Sequence, residues 1–373
     1  MFETEDVVAQ DLPMVVSFVH NYLPGRAPLV SEEAPGLWLV GASGEAVLTY
    51  PFPRNPSDFR ALGDLICGEM PLDGAKDFEK LPRFGFTGLA ASGDYLYAGS
   101  WNSVYELRKT DLSLNRIISH QLMSDIHGIE VQDDLILTVL TGLDCVVLTD
   151  MDGTIREGFR IERDLSIYSW KGDGTDWRFL TKQYRGATGY WHFNFVQRFG
   201  DQIYLTSRNI AAFIVLDLTT TRAFIRPINH MTVVLLHDGK RSGAEYFFTS
   251  VDGKIIEVSA AEGSATSQEV TEHTDRFNRD LIGSVVRLED SELGYEPNWC
   301  RGIEVTESVL YTTIDGRYGG PQSFGLLGLR RETKSLVLHR RLEWKYLANP
   351  EDLRFVTGFD VLRPTDAQSR RLP

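Results

Sequence analysis

Short runs of β-branched and aromatic residues, bounded by Gly, Asp and Asn, recur along the whole chain. The clearest are residues 135–140, 203–207 and 309–313. This pattern is typical of β-strands joined by tight turns. Helical periodicity is scarce, and the best candidates are residues 5–22 and 73–81. The pattern therefore predicts an all-β protein.

A repeated unit of three strands and polar turns is visible in the sequence. Residues 127–150, beginning HGIEV, share this order of strands and turns with residues 192–217 and 230–259. Residues 301–316, beginning RGIEV, nearly repeat the first segment, and residues 87–109 follow the same order. Five copies of one unit in a single chain indicate a repeat architecture.

A sixth copy is divided between the two ends of the chain. The N-terminal part supplies strands at 37–41 and 45–50, and the C-terminal part supplies the opening strand at 357–362. Four-stranded units of about 40–50 residues close into a ring in this way in β-propellers. We therefore predict one domain over 1–373, a six-bladed β-propeller closed by strands from both termini, with 1–30 as an N-terminal extension. A pair of β-sandwiches is the alternative, and it explains the divided copy less well.

The repeat resembles the six-bladed propellers of NHL, gluconolactonase and strictosidine-synthase-like proteins over almost the whole chain. The resemblance is architectural, since WD dipeptides are absent and the Gly-Gly pair typical of kelch blades occurs once, at 319–320. It implies a ligand site at the mouth of a central channel.

Composition narrows the class of protein. The 373 residues include 52 acidic and 38 basic side chains, a net charge of −14 with no basic cluster, which argues against nucleic-acid binding. No apolar run approaches the roughly 18 residues needed to span a bilayer, and the acidic first residues do not resemble an export signal. Three widely spaced cysteines (Cys67, Cys145 and Cys300) suit a reducing compartment. We expect a cytoplasmic protein without a membrane partner, whose oligomeric state stays open.

Three histidines share one register of the repeat. The first residues of the six copies, in chain order, are Thr87, His127, His192, His230, Arg301 and Thr357. The first strand of a propeller blade is innermost, so these side chains are expected at the channel. Neutral imidazole is the commonest metal ligand, and three of them suit a catalytic metal with open positions. The sequence predicts a divalent metal ion, Fe(II) first and then Zn, Mn or Cu, on His127, His192 and His230.

The remaining histidines are expected at turns, outer strands or termini and not as ligands: His20, His120, His237, His273 and His339. The predicted centre is similar in principle to that of carotenoid oxygenases, whose propellers hold iron with channel histidines. Those proteins have seven blades and four histidines, so the resemblance extends to the principle and not to the substrate.

Carboxylates follow the register position by three residues in three copies: Glu130, Glu304 and Asp360. A buried carboxylate needs a partner, and these could accept the second N–H of a metal-bound imidazole. The alternative is that they pair with Arg or backbone groups of a neighbouring blade.

Arginines and aromatic residues on the same face predict a substrate pocket. Arg301, which replaces His in its copy, and Arg208 are candidates to hold an anionic group, although an interblade ion pair would also explain Arg301. Two insertions, 158–191 and 262–299, are rich in aromatic residues and are expected to form part of a lid. The lid and the adjoining turns bring further candidates: Trp101, Trp191 and Trp299 for substrate contact, and Tyr184 and Tyr190 as proton donors.

Together these residues predict a metal-dependent enzyme acting on a small, anionic organic molecule at the central channel. A non-haem Fe(II) oxidative reaction is the first expectation. A Zn- or Mn-assisted lyase or hydrolase is the alternative within the same class. A non-catalytic propeller that binds a partner protein is the alternative from another class.

Overall fold

The computed structural model describes these residues: 14–21, 35–40, 46–51, 53, 56–72, 83–178, 190–209, 212–227, 236–243, 245–250, 253–260, 281–287, 297–316, 324–333, 335–342 and 356–362. Their strands form six sheets of four or five strands each. The fold is a six-bladed β-propeller. This confirms the predicted fold class.

Blade 6 takes its strands from both ends of the chain. In sheet order it contains β27 (Val356–Leu362), β1 (Met14–Asn21), β2 (Pro35–Val40) and β3 (Ala46–Pro51), with β5 (Arg83–Gly85) paired to β1. The expected helix over 5–22 is wrong where it is described, because Met14–Asn21 (MVVSFVHN) is extended and pairs on both edges. This strand lies within the stretch assigned above to an extension. The helix expected at 73–81 lies outside the described residues.

Blades 1 and 2 have an additional outer strand. Blade 1 contains β6 (Leu89–Ser92), β7 (Tyr95–Gly99), β8 (Ser103–Arg108) and β9 (Leu114–Ser119), with β4 (Ile66–Gly68) parallel to β9. Blade 2 contains β10 (Ile126–Gln132), β11 (Leu135–Leu140), β12 (Cys145–Asp150), β13 (Ile155–Ile161) and β14 (Ile167–Ser169). A short helix, α1 (Pro56–Ala61), and two 3-10 turns, Gly63–Leu65 and Thr141–Leu143, complete this half.

Blades 3 to 5 are four-stranded. Blade 3 contains β15 (Phe193–Phe199), β16 (Gln202–Ser207), β17 (Ala212–Asp217) and β18 (Arg222–Pro227). Blade 4 contains β19 (Leu236–Ser242), β20 (Glu245–Ser250), β21 (Lys254–Ala260) and β22 (Leu281–Arg287). Blade 5 contains β23 (Pro297–Val305), β24 (Val309–Gly316), β25 (Phe324–Arg330) and β26 (Leu336–Leu342). The inner strands β6, β10, β15, β19, β23 and β27 contact one another in this order and close the ring.

Tight hairpins fix the register of the inner strands. In blade 2, Gln132 pairs with Leu135 across Asp133 and Asp134, whose φ angles are 52° and 60°. Two left-handed residues in a two-residue turn match the right-handed twist of the strands. In blades 2 to 5 the inner strand also has a β-bulge near its other end, where its pairing with the second strand changes register. The bulge lies at a corresponding level in each of these blades. The bulge reorients side chains at that end.

The core is a series of apolar layers between successive blades. Ile118 and Val104 of blade 1 pack with Ile126 and Val147 of blade 2, and all four are fully buried. Equivalent layers join blades 2 and 3, blades 3 and 4, blades 4 and 5, and blades 6 and 1. Because each sheet is covered on both faces, the strands are apolar on both, which explains the uninterrupted hydrophobic runs in the sequence.

The first aromatic insertion, 158–191, is partly an extension of blade 2. It supplies the end of β13 and the fifth strand β14, and Trp170 donates a backbone hydrogen bond to Gly158. Residues 179–189 lie outside the described part. The second insertion, 262–299, is described only at β22 and at the start of β23. Among the described helices, none has the length and apolar character needed to cross a bilayer.

Candidate functional site

A ring of buried polar side chains lines the start of the inner strands. In each of blades 1 to 5, one residue at the end of the inner strand closes the hairpin to the second strand. The ring residue of that blade lies five positions before it. The ring consists of Thr87, His127, Asn194, His237 and Arg301. Each is at most 8% exposed. Buried polar groups are costly, so a ring of five at one level indicates a specific role.

This register differs from the sequence alignment in two blades. Asn194 holds the position assigned to His192, and His237 holds the position assigned to His230. The placement of His237 at a turn or outer strand is therefore wrong, since it lies in the inner strand β19. His230 lies outside the described residues. Counting back from each hairpin, instead of forward from the first histidine, would have found both Asn194 and His237.

His127 is held by the turn that follows β11. Its Nδ1 lies 2.6 Å from Oγ1 of Thr141 and 3.3 Å from the carbonyl oxygen of Asp125. The Thr141 hydroxyl donates its single proton to the carbonyl oxygen of Phe193, so it accepts from His127. Neutral His127 therefore carries its proton on Nδ1, and Nε2 is its acceptor nitrogen.

His237 forms a buried pair with Asp238. Nδ1 of His237 lies 2.6 Å from Oδ2 of Asp238, and the same oxygen accepts the backbone N–H of Gly302 from blade 5 at 2.7 Å. The carboxylate therefore fixes the Nδ1–H tautomer and leaves Nε2 as the basic nitrogen.

Two arginines act on this histidine. Burial lowers the pKa of His237 below its ordinary value; Arg301 and Arg208 lower it further, and the negative charge of Asp238 opposes them. The imidazole is therefore neutral near pH 7, next to two permanent positive charges. Arg301 is 8% exposed, whereas Arg208 is half-buried.

His192 approaches the ring although it precedes the register position by two residues. Its φ is 53°, a left-handed conformation, and its backbone N–H donates to Oδ1 of Asp144 at 3.0 Å. Oδ2 of Asp144 accepts the N–H groups of Tyr190 and Trp191. One carboxylate from blade 2 thus binds three successive amides and fixes the entry into β15. Burial raises the pKa of Asp144 to about 6, and the three amide bonds oppose this shift.

The imidazoles of His127, His192 and His237 lie close together. The ring centroids of His127 and His192 are 5.3 Å apart, and those of His127 and His237 are 6.3 Å apart. Within the described part of the chain, no three His, Cys, Asp or Glu side chains converge in an arrangement able to hold a metal ion. The predicted set of His127, His192 and His230 includes one member outside that part and stays a prediction.

The predicted aromatic contacts are placed at different depths. Trp101 is buried and its indole N–H donates to the carbonyl oxygen of Arg178 at 2.8 Å. Trp191 is buried, stacks with Phe193 at a centroid distance of 6.4 Å and donates to the carbonyl oxygen of Glu162. Tyr190 is 41% exposed, and its ring packs against the guanidinium of Arg163, between β13 and β14 of blade 2. Tyr184 lies outside the described residues, and Trp299 lies in β23 with a side chain that is not described.

The predicted carboxylates make interblade contacts. Glu130 accepts the backbone N–H of Arg198 in blade 3, and Glu304 forms an ion pair of 3.0 Å with Lys240 in blade 4. Asp360 lies in β27, and its side chain is not described. The alternative stated for these residues, pairing between blades, is what the structure shows for Glu130 and Glu304. Their action on metal-bound imidazoles stays a prediction.

Comparison with known proteins finds no family and distant structural likenesses. No protein-family model matches the chain, and no curated protein matches it. Among solved structures, a candidate 6-phosphogluconolactonase from Bacteroides uniformis shares 12% identity, with 90% of this chain and 84% of that chain covered and a TM-score of 0.41. A chain of a nidogen–laminin complex shares 10% identity over 74% and 83%, with a TM-score of 0.46.

The β-propeller domain of Cps50 (Swd1) from Myceliophteria thermophila shares 14% identity, with 69% of this chain and 72% of that chain covered and a TM-score of 0.43. Likenesses of this degree carry no conclusion about ligands or activity. Function has to be argued from the ring itself.

Proposed function

We propose that this protein is an enzyme that binds a small organic anion at the channel ring and moves a proton with His237. The observation that carries the proposal is the buried His237–Asp238 pair beside Arg301. A neutral imidazole oriented by a carboxylate is a common general base. A buried guanidinium next to it supplies the charge that an anion needs.

Each group has a separate task in this scheme. Arg301, assisted by the half-buried Arg208, binds the carboxylate or phosphate of the substrate. Nε2 of His237 accepts the proton, and Asp238 stabilises the imidazolium that forms. The return of the proton to product uses the same nitrogen, so no further acid is required. Tyr190, the described one of the two predicted proton donors, packs against Arg163 and has no step in this scheme.

The first experiment is a binding titration followed by NMR of the histidine side chains. Propionate and inorganic phosphate are the probes, and the proteins are wild type, Arg301→Met, His237→Gln and the control Arg222→Met, an exposed arginine in β18. We expect the His237 resonances to shift in wild type and control, with loss of binding in Arg301→Met. If neither anion binds any of the four proteins, the proposal is wrong.

A metal centre on His127, His192 and His230 is the second candidate. The observation that favours it is the 5.3 Å between the rings of His127 and His192, since imidazoles that share a tetrahedral metal at about 2 Å from nitrogen have centroids about 5 Å apart. Thr141 also holds His127 in the tautomer that leaves Nε2 for a ligand bond. The metal would polarise the bound anion or, as Fe(II), support an oxidative reaction; Zn, Mn and Cu are the other ions considered.

Metal content of anaerobically purified protein tests this candidate. A His127→Ala/His230→Ala double variant and the control His120→Ala are measured beside the wild type by plasma mass spectrometry. Near-stoichiometric metal in wild type and control, lost from the double variant, supports the centre. Absence of metal from all three, with none taken up on reconstitution, rejects it and leaves the His237 mechanism in place.

A further inference from the structure

Asn194 is a buried amide with unused hydrogen-bonding capacity. It is fully buried, and neither Oδ1 nor Nδ2 has a hydrogen-bond partner among the residues that the structure describes. Leaving a buried polar group unpaired costs about 1–3 kcal/mol. Thr87, at the same register position in blade 1, donates to the carbonyl oxygens of Gly99 and Ile126. The amide therefore differs from Thr87 and has the capacity to bind a ligand.

The position of Asn194 places it between the two ring histidines. Its strand β15 contacts the inner strand of His127 on one side and that of His237 on the other. The side chain belongs to the bulge residue of β15, at the level where blades 2 and 4 present their imidazoles. A molecule held by Arg301 and His237 therefore has Asn194 as a neighbour on the ring.

The chemistry of an amide selects the group it can bind. A side-chain amide offers one acceptor and two donor protons, whereas a carboxylate only accepts. A carboxylate bound by Arg301 cannot satisfy Oδ1 of Asn194. A hydroxyl group both donates and accepts, so it satisfies both atoms of the amide. Phosphate in its fully ionised form shares the limitation of the carboxylate.

We propose that the substrate is a small hydroxycarboxylate and that Asn194 recognises its hydroxyl group, while Arg301 binds its carboxylate. This proposal rests on the function proposed above and adds the class of substrate. The hydroxyl group placed at Asn194 is also next to His237. In a 2-hydroxy acid, Nε2 of His237 accepts the proton of the carbon that bears the hydroxyl group, and the electron pair of that C–H bond is delocalised into the carboxylate bound by Arg301, as an enediolate. The proton then returns from Nε2 to the same carbon.

Pairs of acids that differ only by a hydroxyl group test the proposal. Titration calorimetry compares D- and L-lactate with propionate, and L- and D-malate with succinate. The proteins are wild type, Asn194→Leu, which keeps the branched shape of the side chain and removes both polar atoms, and Arg301→Met. We expect at least one hydroxy acid to bind wild type about tenfold or more tightly than its deoxy partner, since an unpaired site amide penalises the analogue. In Asn194→Leu the preference disappears while propionate or succinate still binds.

The outcomes separate the two proposals. Equal affinity of wild type for every hydroxy and deoxy pair overturns the role of Asn194 but leaves the anion site standing. Retention of the hydroxyl preference in Asn194→Leu also overturns it. Failure of all the acids to bind wild type overturns the anion site itself. Near-UV circular dichroism checks that Asn194→Leu is folded, and if it is not, the wild-type pairs together with Asn194→Ser decide the question.

Discussion

Nδ1 of His237 and Oδ2 of Asp238 lie 2.6 Å apart inside the propeller, joined by adjacent positions of one bulged strand. The same oxygen binds the backbone of Gly302 in the next blade. One carboxylate therefore orients a candidate base and links two blades. Substitution of Asp238 by Asn and by Ala therefore separates the effect of its charge from that of its hydrogen bond to the next blade.

The first prediction concerns Asp238. Asp238→Asn keeps an oxygen that accepts from both partners but removes the negative charge that opposes the lowered pKa of His237. We expect the pKa of His237 to fall further, measured by a carbon-detected NMR titration of the imidazole. Asp238→Ala also removes the partner of Gly302 and should reduce the free energy of unfolding by about 1–3 kcal/mol. Glu307→Gln, an exposed acid-to-amide change, is the control for net charge. An unchanged pKa in Asp238→Asn contradicts the proposed electrostatics.

The free energy of unfolding is expected to depend on pH through Asp144, and the pKa of this residue gives the sign of the dependence. Its pKa in the folded protein is about 6, against an ordinary value of 3.8. The folded state holds this proton more tightly than the unfolded chain, so its contribution to stability is complete below pH 3.8 and is lost as the pH rises through about 6. Asp144→Asn does not titrate. We expect the free energy of unfolding of wild type, relative to this variant, to fall between pH 4 and pH 7 in urea titrations.

A matched control for this experiment removes a different bond from the same loop. Asn209 donates to the carbonyl oxygen of Tyr190, and Asn209→Ala removes that bond without removing a titrating group. Its difference from wild type should stay constant over the same pH range. A constant difference for Asp144→Asn as well shows that Asp144 titrates alike in the folded and unfolded states, contrary to the prediction.

Gly128 is required by the close approach of blades 2 and 3. A Cβ at this residue would lie 2.8 Å from the carbonyl oxygen of Asn194 and 3.0 Å from Cα of Phe195. Both contacts are backbone atoms that cannot rotate away. Gly128→Ala should therefore cost about 1–3 kcal/mol in urea unfolding. Gly63→Ala, where a Cβ meets no atom within 4 Å, should leave stability nearly unchanged. Equal midpoints for the two variants refute the steric argument.

The ion pair of Lys240 and Glu304 is expected to couple blades 4 and 5. Their side chains are 15% and 3% exposed, and the atoms are 3.0 Å apart. A double-mutant cycle with Lys240→Met and Glu304→Gln should give a coupling free energy of about 1 kcal/mol or more. The cycle for Arg156 and Asp150, whose arginine is 62% exposed, should give less than about 0.5 kcal/mol. A smaller value for the buried pair than for the exposed one argues against its role between the blades.

The sequence predicted the architecture because the strand pattern and the hairpin turns are local features. The apolar runs at 135–140 and 309–313, and the turns that bound them, can be recognised from the local sequence alone. The divided copy predicted three of the strands of blade 6, β2, β3 and β27, and missed β1. The expected helix over 5–22 failed because the N-terminal strand Met14–Asn21 owes its extended form to partners distant in sequence, β2 and β27.

The site was harder to predict, since a shift of a few residues changes the side chain at the ring. His230 and His237 both precede strand-like runs, and only the hairpin of blade 4 selects His237. His192 has a left-handed backbone conformation that the sequence does not predict, and the ring position of blade 3 is held by Asn194, two residues later. Asp144 lies far from His192 along the chain, so its contact with the three amides depends on the packing of blade 2 against blade 3.

The pairing of β27 with β1 determines when this protein finishes folding during synthesis. Met14–Asn21 leaves the ribosome early, but its inner neighbour Val356–Leu362 is translated after the other five blades. Until then the first strands present an open sheet edge, the kind of surface that attracts chaperones and other nascent chains. On a polysome, where nascent chains lie close together, the incomplete ring is therefore most exposed to misassembly. Synthesis of β27 ends that exposure.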